Sequence, residues 1–260
     1  MRVPPDVIYT LSPPLIFLTV LVAVGLLAFL VQAVFRIGRV ARFAARITGL
    51  SPVVATITGA MFALSMTFLA NAVWNTEDQA RSAVNAEARA IRTMDLYLSS
   101  LTAPAYDGMW KLIANYGRAV GAEWDTMSQD DYGSPAETAL RAVYAAVLKG
   151  LAEGDQNRLL QQRLLTALDA VSTARQERLS ISENYVSLSQ WTLVTVLGLL
   201  LLFVVTAMHV ADPLARRVAV SALVVAISVM LHVILLHDRP FIGYAAQTAD
   251  PILKATGVEP

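Results

Sequence analysis

The sequence predicts an all-α membrane protein: four transmembrane helices, with a helical bundle between spans two and three that extends those two spans out of the membrane. Three observations predict it. Hydrophobic residues make up 56% of the chain and charged residues only 15%, and the apolar residues gather in four blocks rather than spreading as a soluble core would require. Each block is near the ~20 residues that a helix needs to cross a hydrocarbon core. The segment between the second and third blocks is long and polar, has apolar positions at helical spacing, and contains no alternating run that would read as a strand.

Span one is Pro14 to Phe35, free of charge. Span two is Pro52 to Trp74, also uncharged, and no Gly or Pro separates it from the charged stretch Asn75 to Arg92. One rod is therefore expected to leave the membrane. Its continuation runs to about Ser100 and stops before Pro104, which disfavours helix at the residue preceding it. A second extramembrane helix is expected from Pro104 to Trp124, and a polar loop follows to Ser134. Ser134-Pro135-Ala136-Glu137 then combines a cap, an N1 proline and a capping-box acid, starting a third helix that reaches Leu148. Gly150 and Gly154 break the chain, and Asp155 caps a fourth helix heading towards span three. Spans three and four are Trp191 to Ala211 and Val218 to Leu236. The expected domains are residues 1–75 (spans one and two), 76–189 (four-helix extramembrane part) and 190–260 (spans three and four, then a short tail of interfacial character).

Topology follows from charge. The loop between spans one and two carries Arg36, Arg39, Arg42 and Arg46 without an acid, and the turn between spans three and four carries Arg216 and Arg217 beside Asp212. These mark the cytoplasmic side and place the termini and the helical domain outside it. The aromatics Tyr9, Trp74, Tyr185, Trp191, Phe241 and Tyr244 all fall at span ends on the side of the long segment, where rings favour the headgroup level.

Several classes are excluded or disfavoured. Lys plus Arg balance Asp plus Glu at 20 each, so nothing points to nucleic acid. Cysteine is absent, which removes disulfides and thiolate metal sites. No nucleophile elbow, zinc-helix motif or phosphate loop occurs, so no enzyme is expected and no cofactor is implied. His209 and His237 fall at opposite ends of their spans, and His232 and His237 are spaced so that they do not share a helix face; no metal site is expected.

The informative pattern is on span two and its extension. Thr67, Asn71, Asn75, Asp78 and Ser82, continued by Asn85, recur every three or four positions and share one helical face. Such a stripe suits a solute path, and it equally suits a helix packed inside a bundle. Asp78 and Glu77 would favour cations if they ring an entrance. Phe62 and Phe68, with Met61 and Leu69, offer a hydrophobic constriction or plain packing surface. A second intramembrane polar stripe is Ser221, Ser228 and His232, with the same two readings. In the extramembrane part, Glu87 can pair with Arg175 or Arg178, a salt bridge between the first and last helices.

Gly59, Phe62, Phe68, Asn71 and Trp74, then Ala80, Val84, Glu87 and Ala88, open an ordered series. It continues with Tyr116, Glu123-Trp124, Arg175 with Arg178-Leu179, Trp191, and Pro240-Phe241-Ile242-Gly243. In order and spacing the series resembles the bacterial bestrophin-like membrane proteins, a domain of unknown function distantly similar to bestrophin ion channels. The resemblance implies a bacterial inner-membrane protein with four spans per subunit. It implies a homo-oligomer, a pentamer in bestrophins, with a central pore for inorganic ions lined by span two. Two features depart from it: bestrophins hold their helical domain in the cytosol, against the arginine count here, and the acidic calcium-clasp residues of animal bestrophins have no counterpart. The other function class the residues allow is a membrane-anchored sensor or scaffold whose outer bundle binds a ligand or partner.

Overall fold

Prolines and caps set where the helices begin. A computed structural model describes residues 8–35, 37, 52–127, 134–150, 155–183 and 186–259. Arg36, Arg39, Arg42, Arg46 and Tyr185 lie outside the described residues. In chain order the helices are α1 (Pro13–Val34), α2 (Pro52–Leu98), α3 (Ala103–Met127), α4 (Ser134–Gly150), α5 (Asp155–Glu183), α6 (Leu188–Met208), α7 (Pro213–His237) and a short α8 (Asp250–Ala255). Among the described residues four helices are long and apolar enough to cross a membrane: α1, α2, α7 and the one ending at Met208.

The expected unbroken run out of span two holds: α2 is a single helix of 47 residues, about 70 Å at 1.5 Å per residue. On the other side the fourth bundle helix stops at Glu183, and α6 starts afresh at Leu188. The reason is local. Ser187 takes an extended backbone, its side chain accepts from the Gln190 N–H, and Gln190 reaches back to the Ser187 N–H, a complete capping box. Span four likewise begins earlier than its apolar run. The Asp212 carboxylate accepts from the N–H groups of Leu214 at 2.9 Å and Ala215 at 3.1 Å, with Pro213 just inside the helix. Arg216 and Arg217 therefore stand in the first turns of α7 and not in a turn between spans.

The chain divides into two compact units: Met1–Asn75 with Tyr185–Arg239 and Gly243–Ala245, and Thr76–Asn184 with Pro240–Ile242 and Ala246–Pro260. In the first, α1 packs on α6 and α7, and α6 on α7. Ile16, Val20, Val24 and Ala28 form the buried stripe of α1, whereas Leu18, Val22, Leu26 and Phe29 are exposed. Leaving such side chains in water forfeits about 25 cal/mol for each Å²; a hydrocarbon surround removes that cost. Gly198 of α6 admits the ring of Phe62, since a Cβ there would stand 3.3 Å from Phe62 Cε2.

At one end of this unit the chain is tied together by Asp238. The Tyr9 hydroxyl donates to its Oδ2, and the Val186 N–H donates to Oδ1 at 3.4 Å. The Arg239 guanidinium lies 5.5 Å from the centre of the Tyr9 ring. Gly243 completes the clasp at φ +95°, where a Cβ would stand 2.7 Å from the Tyr9 carbonyl oxygen. Tyr9 is thus 3% exposed and serves the clasp, not the headgroup level.

The second unit is a helical bundle: α3 packs on α4, α4 on α5, and α8 on α3. Its core joins Ala80, Val84, Ala88 and Ile91 of α2 to Ile113, Val120, Val143, Leu164 and Val171. The tail, expected at an interface, belongs to this bundle instead. Ile252 and Thr256 are fully buried, and Gly117 makes room for Thr256: a Cβ at 117 would lie 2.0 Å from Thr256 Oγ1. The Trp124 indole N–H donates to the Gln247 carbonyl at 3.1 Å, and Phe241 meets the Trp124 ring edge-on at 5.6 Å.

Candidate functional site

α2 carries polar groups on two opposite faces, and the two are treated differently. On the first, Thr67, Asn71, Asn75, Asp78 and Ser82 are all exposed. Thr67 meets its own hydrogen-bonding need by donating to the Ala63 carbonyl at 2.9 Å, and Asn85 does so by donating to the Arg81 carbonyl at 2.9 Å. The amides of Asn71 and Asn75 make no side-chain hydrogen bond among the described residues. Each amide has two N–H donors and an oxygen acceptor to satisfy. Asp78 is exposed on the same face, whereas Glu77 is turned away and pairs with Arg81 at 3.3 Å. The two acids therefore do not present themselves together.

Phe68 shares the exposed side, with 64% of its surface open. Phe62 does not, so the two rings do not stand together as the expected constriction. Six positions rotate a helix by about 600°, which leaves Phe62 on the far side, 6% exposed and packed against Gly198.

The stripe on span four also divides. Ser221 is exposed. Ser228 is fully buried and donates to the Val224 carbonyl at 2.7 Å, so it is satisfied within its own helix. His232 is half-buried, meets Phe17 edge-on at 5.5 Å, and has a buried Nδ1 without a partner among the described residues. His209 and His237 each contact the carbonyl four residues back. Among the described residues no cluster has the makings of a metal site.

The inward face of α2 carries Glu87, which is fully buried. Its Oε2 takes the Nε–H of Arg178 at 2.9 Å and its Oε1 takes the Tyr116 hydroxyl at 2.6 Å. Arg178 also reaches Glu123 at 3.2 Å and the Met127 sulfur at 3.1 Å. Its guanidinium lies 4.8 Å from the centre of the Trp124 ring. Arg175 pairs with the other oxygen of Glu123 at 2.5 Å. Of the two pairings open to Glu87 in the sequence, the structure takes Arg178, because Glu123 one helix over occupies Arg175. Burial alone would lower the Arg178 pKa; the facing carboxylates outweigh it and the net direction is up. Burial, and then the Glu87 charge, push the Tyr116 hydroxyl well above its ordinary range. Two acids and two bases leave the centre neutral.

Sequence reasoning missed the Tyr9–Asp238 clasp. Its signal was an acid directly after an apolar span and before Arg239-Pro240. Burial raises the Asp238 carboxyl despite the hydrogen bonds it accepts from Tyr9 and Val186.

The family model for the Bestrophin-like domain matches residues 18–251. No curated protein matches the chain. Among solved structures, a point variant of a bacterial bestrophin homolog from Klebsiella pneumoniae aligns with a TM-score of 0.70 at 12% identity, covering 92% of this chain and 97% of that one. Another structure of a bacterial bestrophin homolog from Klebsiella pneumoniae aligns at 0.65 and 14% identity, covering 94% and 99%. At these identities the likeness speaks to the fold.

Proposed function

The chain belongs to the bestrophin-like domain family, and on that premise we propose that it is an oligomeric ion channel whose pore wall is the outward face of α2. The observation that carries this reading is the pair Asn71 and Asn75, exposed and without side-chain partners among the described residues. Within span two, the Asn71 amide left unmatched in hydrocarbon would cost several kcal/mol, and Asn75 continues its face at the first residue beyond the span. Water and ions along an axis supply the missing partners, and Asn does so without fixing a charge in the membrane. Thr67 precedes the pair and Asp78 and Ser82 follow it on the same face, so the path continues out of the bilayer along one helix. Phe68 narrows it. Residues 76–189 carry its outer part, residues 1–75 and 190–236 hold it in the membrane, and the bestrophin resemblance supports a homo-oligomer, with five subunits as in bestrophins. The four arginines between spans one and two support a helical domain on the extracytoplasmic side of a bacterial inner membrane.

The test is conductance of the purified protein in planar bilayers. Asn71→Leu with Asn75→Leu should abolish or sharply reduce the current, and unchanged currents would exclude this wall. A monomer or dimer with a dry centre would end the channel reading altogether. Orientation is read separately: the chain has no cysteine, so Leu148→Cys, at an exposed position of α4, reports labelling in intact cells without background.

One feature favours the sensor reading enough to test it. The bundle holds an apolar cavity of about 300 Å³ among Leu98, Leu101, Met109, Leu112, Val147 and Leu164. Saturable binding of a small apolar ligand there, coupled to no current, would favour it.

A further inference from the structure

The outward face of α2 does not end at Ser82. Arg89 and Arg92 are exposed on it, and neither forms an ion pair among the described residues. Eleven positions return a helix to within about 20° of its starting azimuth and fourteen to within about 40°, so both arginines stand above Asp78 on one strip. The neighbouring acids are engaged elsewhere. Glu77 pairs with Arg81, and Asp95 accepts from the Tyr106 hydroxyl at 2.9 Å. What remains on the strip is one acid followed by two bases.

We infer that these residues form two zones of opposite fixed charge in series, Asp78 and then Arg89 with Arg92. The zones make the conduit rectify and gather small inorganic anions at its arginine end. The inference rests on the channel reading above and deepens it. In a homo-oligomer each charge recurs once per subunit, so Asp78 becomes an acidic ring and the arginines a basic belt. Along the helix the two are about 16 to 21 Å apart. The Debye length is about 10 Å at 0.1 M salt and about 3 Å at 1 M. At the lower salt each zone keeps its own counter-ions instead of cancelling the other, and each still reaches into the lumen. One polarity then drives cations and anions together between the zones and raises conductance. The opposite polarity empties that stretch and lowers it. At the higher salt the fixed charges are screened at the wall and the asymmetry fades. A strip that is merely a solvated helix surface predicts none of this.

The experiment is the current–voltage relation of the full-length protein in planar bilayers with symmetric KCl. At about 0.05 M the currents at opposite voltages should differ at least about twofold, and at about 1 M the ratio should approach one. Arg89→Gln with Arg92→Gln should remove the asymmetry and shift the reversal potential in a salt gradient towards cations. Asp78→Asn should also remove the asymmetry while shifting it towards anions. Arg89→Lys with Arg92→Lys should keep both properties, and none of these exposed positions carries the fold. Ohmic low-salt currents in the unmodified protein, or rectification that survives loss of both arginines, would overturn the inference and leave the channel standing. Absence of current under every condition would instead remove the channel reading, and this inference with it.

Discussion

Glu87 and Asn75 sit on one helix, three turns apart, and meet opposite fates. Glu87 is fully buried and takes Arg178 and Tyr116 from two other helices. Asn75, with Asn71 before it, is exposed and takes no side-chain partner among the described residues. The lesson concerns where polar groups find their complement. A buried charge is tolerable only where the fold itself supplies the partners. A polar group for which the fold supplies nothing must be answered from outside the chain. On the proposed reading the inward face of α2 belongs to stability and the outward face to conduction, and substitutions should separate the two.

The largest effect should come from removing one member of the buried centre. Glu87→Ala leaves Arg178 inside the bundle with one carboxylate instead of two and strands the Tyr116 hydroxyl. The loss should be about 3–5 kcal/mol, read as a collapse of the denaturant midpoint of the detergent-solubilised protein. Arg178→Lys should lose nearly as much, because an ammonium cannot meet Glu87 and Glu123 from a planar fork while lying over Trp124. A Lys variant as stable as the parent would show that charge alone holds the centre.

Next in size is the tail. Gly117→Val drives a side chain into Thr256, whose Oγ1 stands 2.0 Å from the position of a Cβ. Overpacking of this kind costs about 1–3 kcal/mol. The tail should come away from α3 before the bundle melts, seen as proteolysis near residue 247 with the rest of the chain intact. Cleavage no faster than in the parent would mean that the contact relaxes without releasing the tail.

Alkali should act on the inward face through Tyr116. Its folded pKa is raised, by burial first and Glu87 second, so above the unfolded value of about 10 the unfolded chain releases the proton while the folded one holds it. Fewer protons on the unfolded state means that stability falls as pH rises. It should be flat below about pH 10 and decline above it. Tyr144, pushed up to about 12 by burial and then by Asp169, adds to the decline between those values. Tyr116→Phe should lower stability at neutral pH by about 1–3 kcal/mol, since Glu87 loses a donor, and should flatten the alkaline limb. An equal slope in the variant would assign the limb to other tyrosines.

Much of the fold was legible because its signals are local. Pro52 at the start and the absence of any later proline before Pro104 set α2, and Ser134-Pro135 starts α4 at the expected residue, although Glu137 there binds Arg141 at 2.5 Å. The Glu87 ion pair was legible as an alternative, but choosing Arg178 over Arg175 required knowing that α3 delivers Glu123 between them. What stayed hidden depends on contacts distant in sequence. Thr256 over Gly117 and Tyr9 on Asp238 join segments with no shared periodicity, and Gly117 or Asp238 alone gives no hint of its partner. The α2 stripe was visible as a spacing. Spacing placed Thr67 and Asn71 together without showing that one amide is unanswered while the hydroxyl bonds its own helix. It also left Phe62 and Phe68 looking alike, since only the position of Gly198 tells which ring is packed away.

The outward face supplies the smallest effect on the fold and the sharpest contrast. Asn71→Leu with Asn75→Leu removes two amides that make no side-chain hydrogen bond among the described residues, at exposed positions of an uninterrupted helix. Leu has a higher helix propensity than Asn, and nothing inside the chain loses a partner. Stability should therefore change by no more than about 0.5 kcal/mol, against the several lost at Glu87, while current through the protein falls away. The paired measurement is a denaturant midpoint and a bilayer conductance on the same preparation. If the midpoint drops as far as it does for Glu87→Ala, the amides are satisfied within the assembly. The outward face would then be a packing surface between subunits, and the division between the two faces of α2 would not hold. If the midpoint stays and the current goes, the unanswered amides are answered by what passes along them.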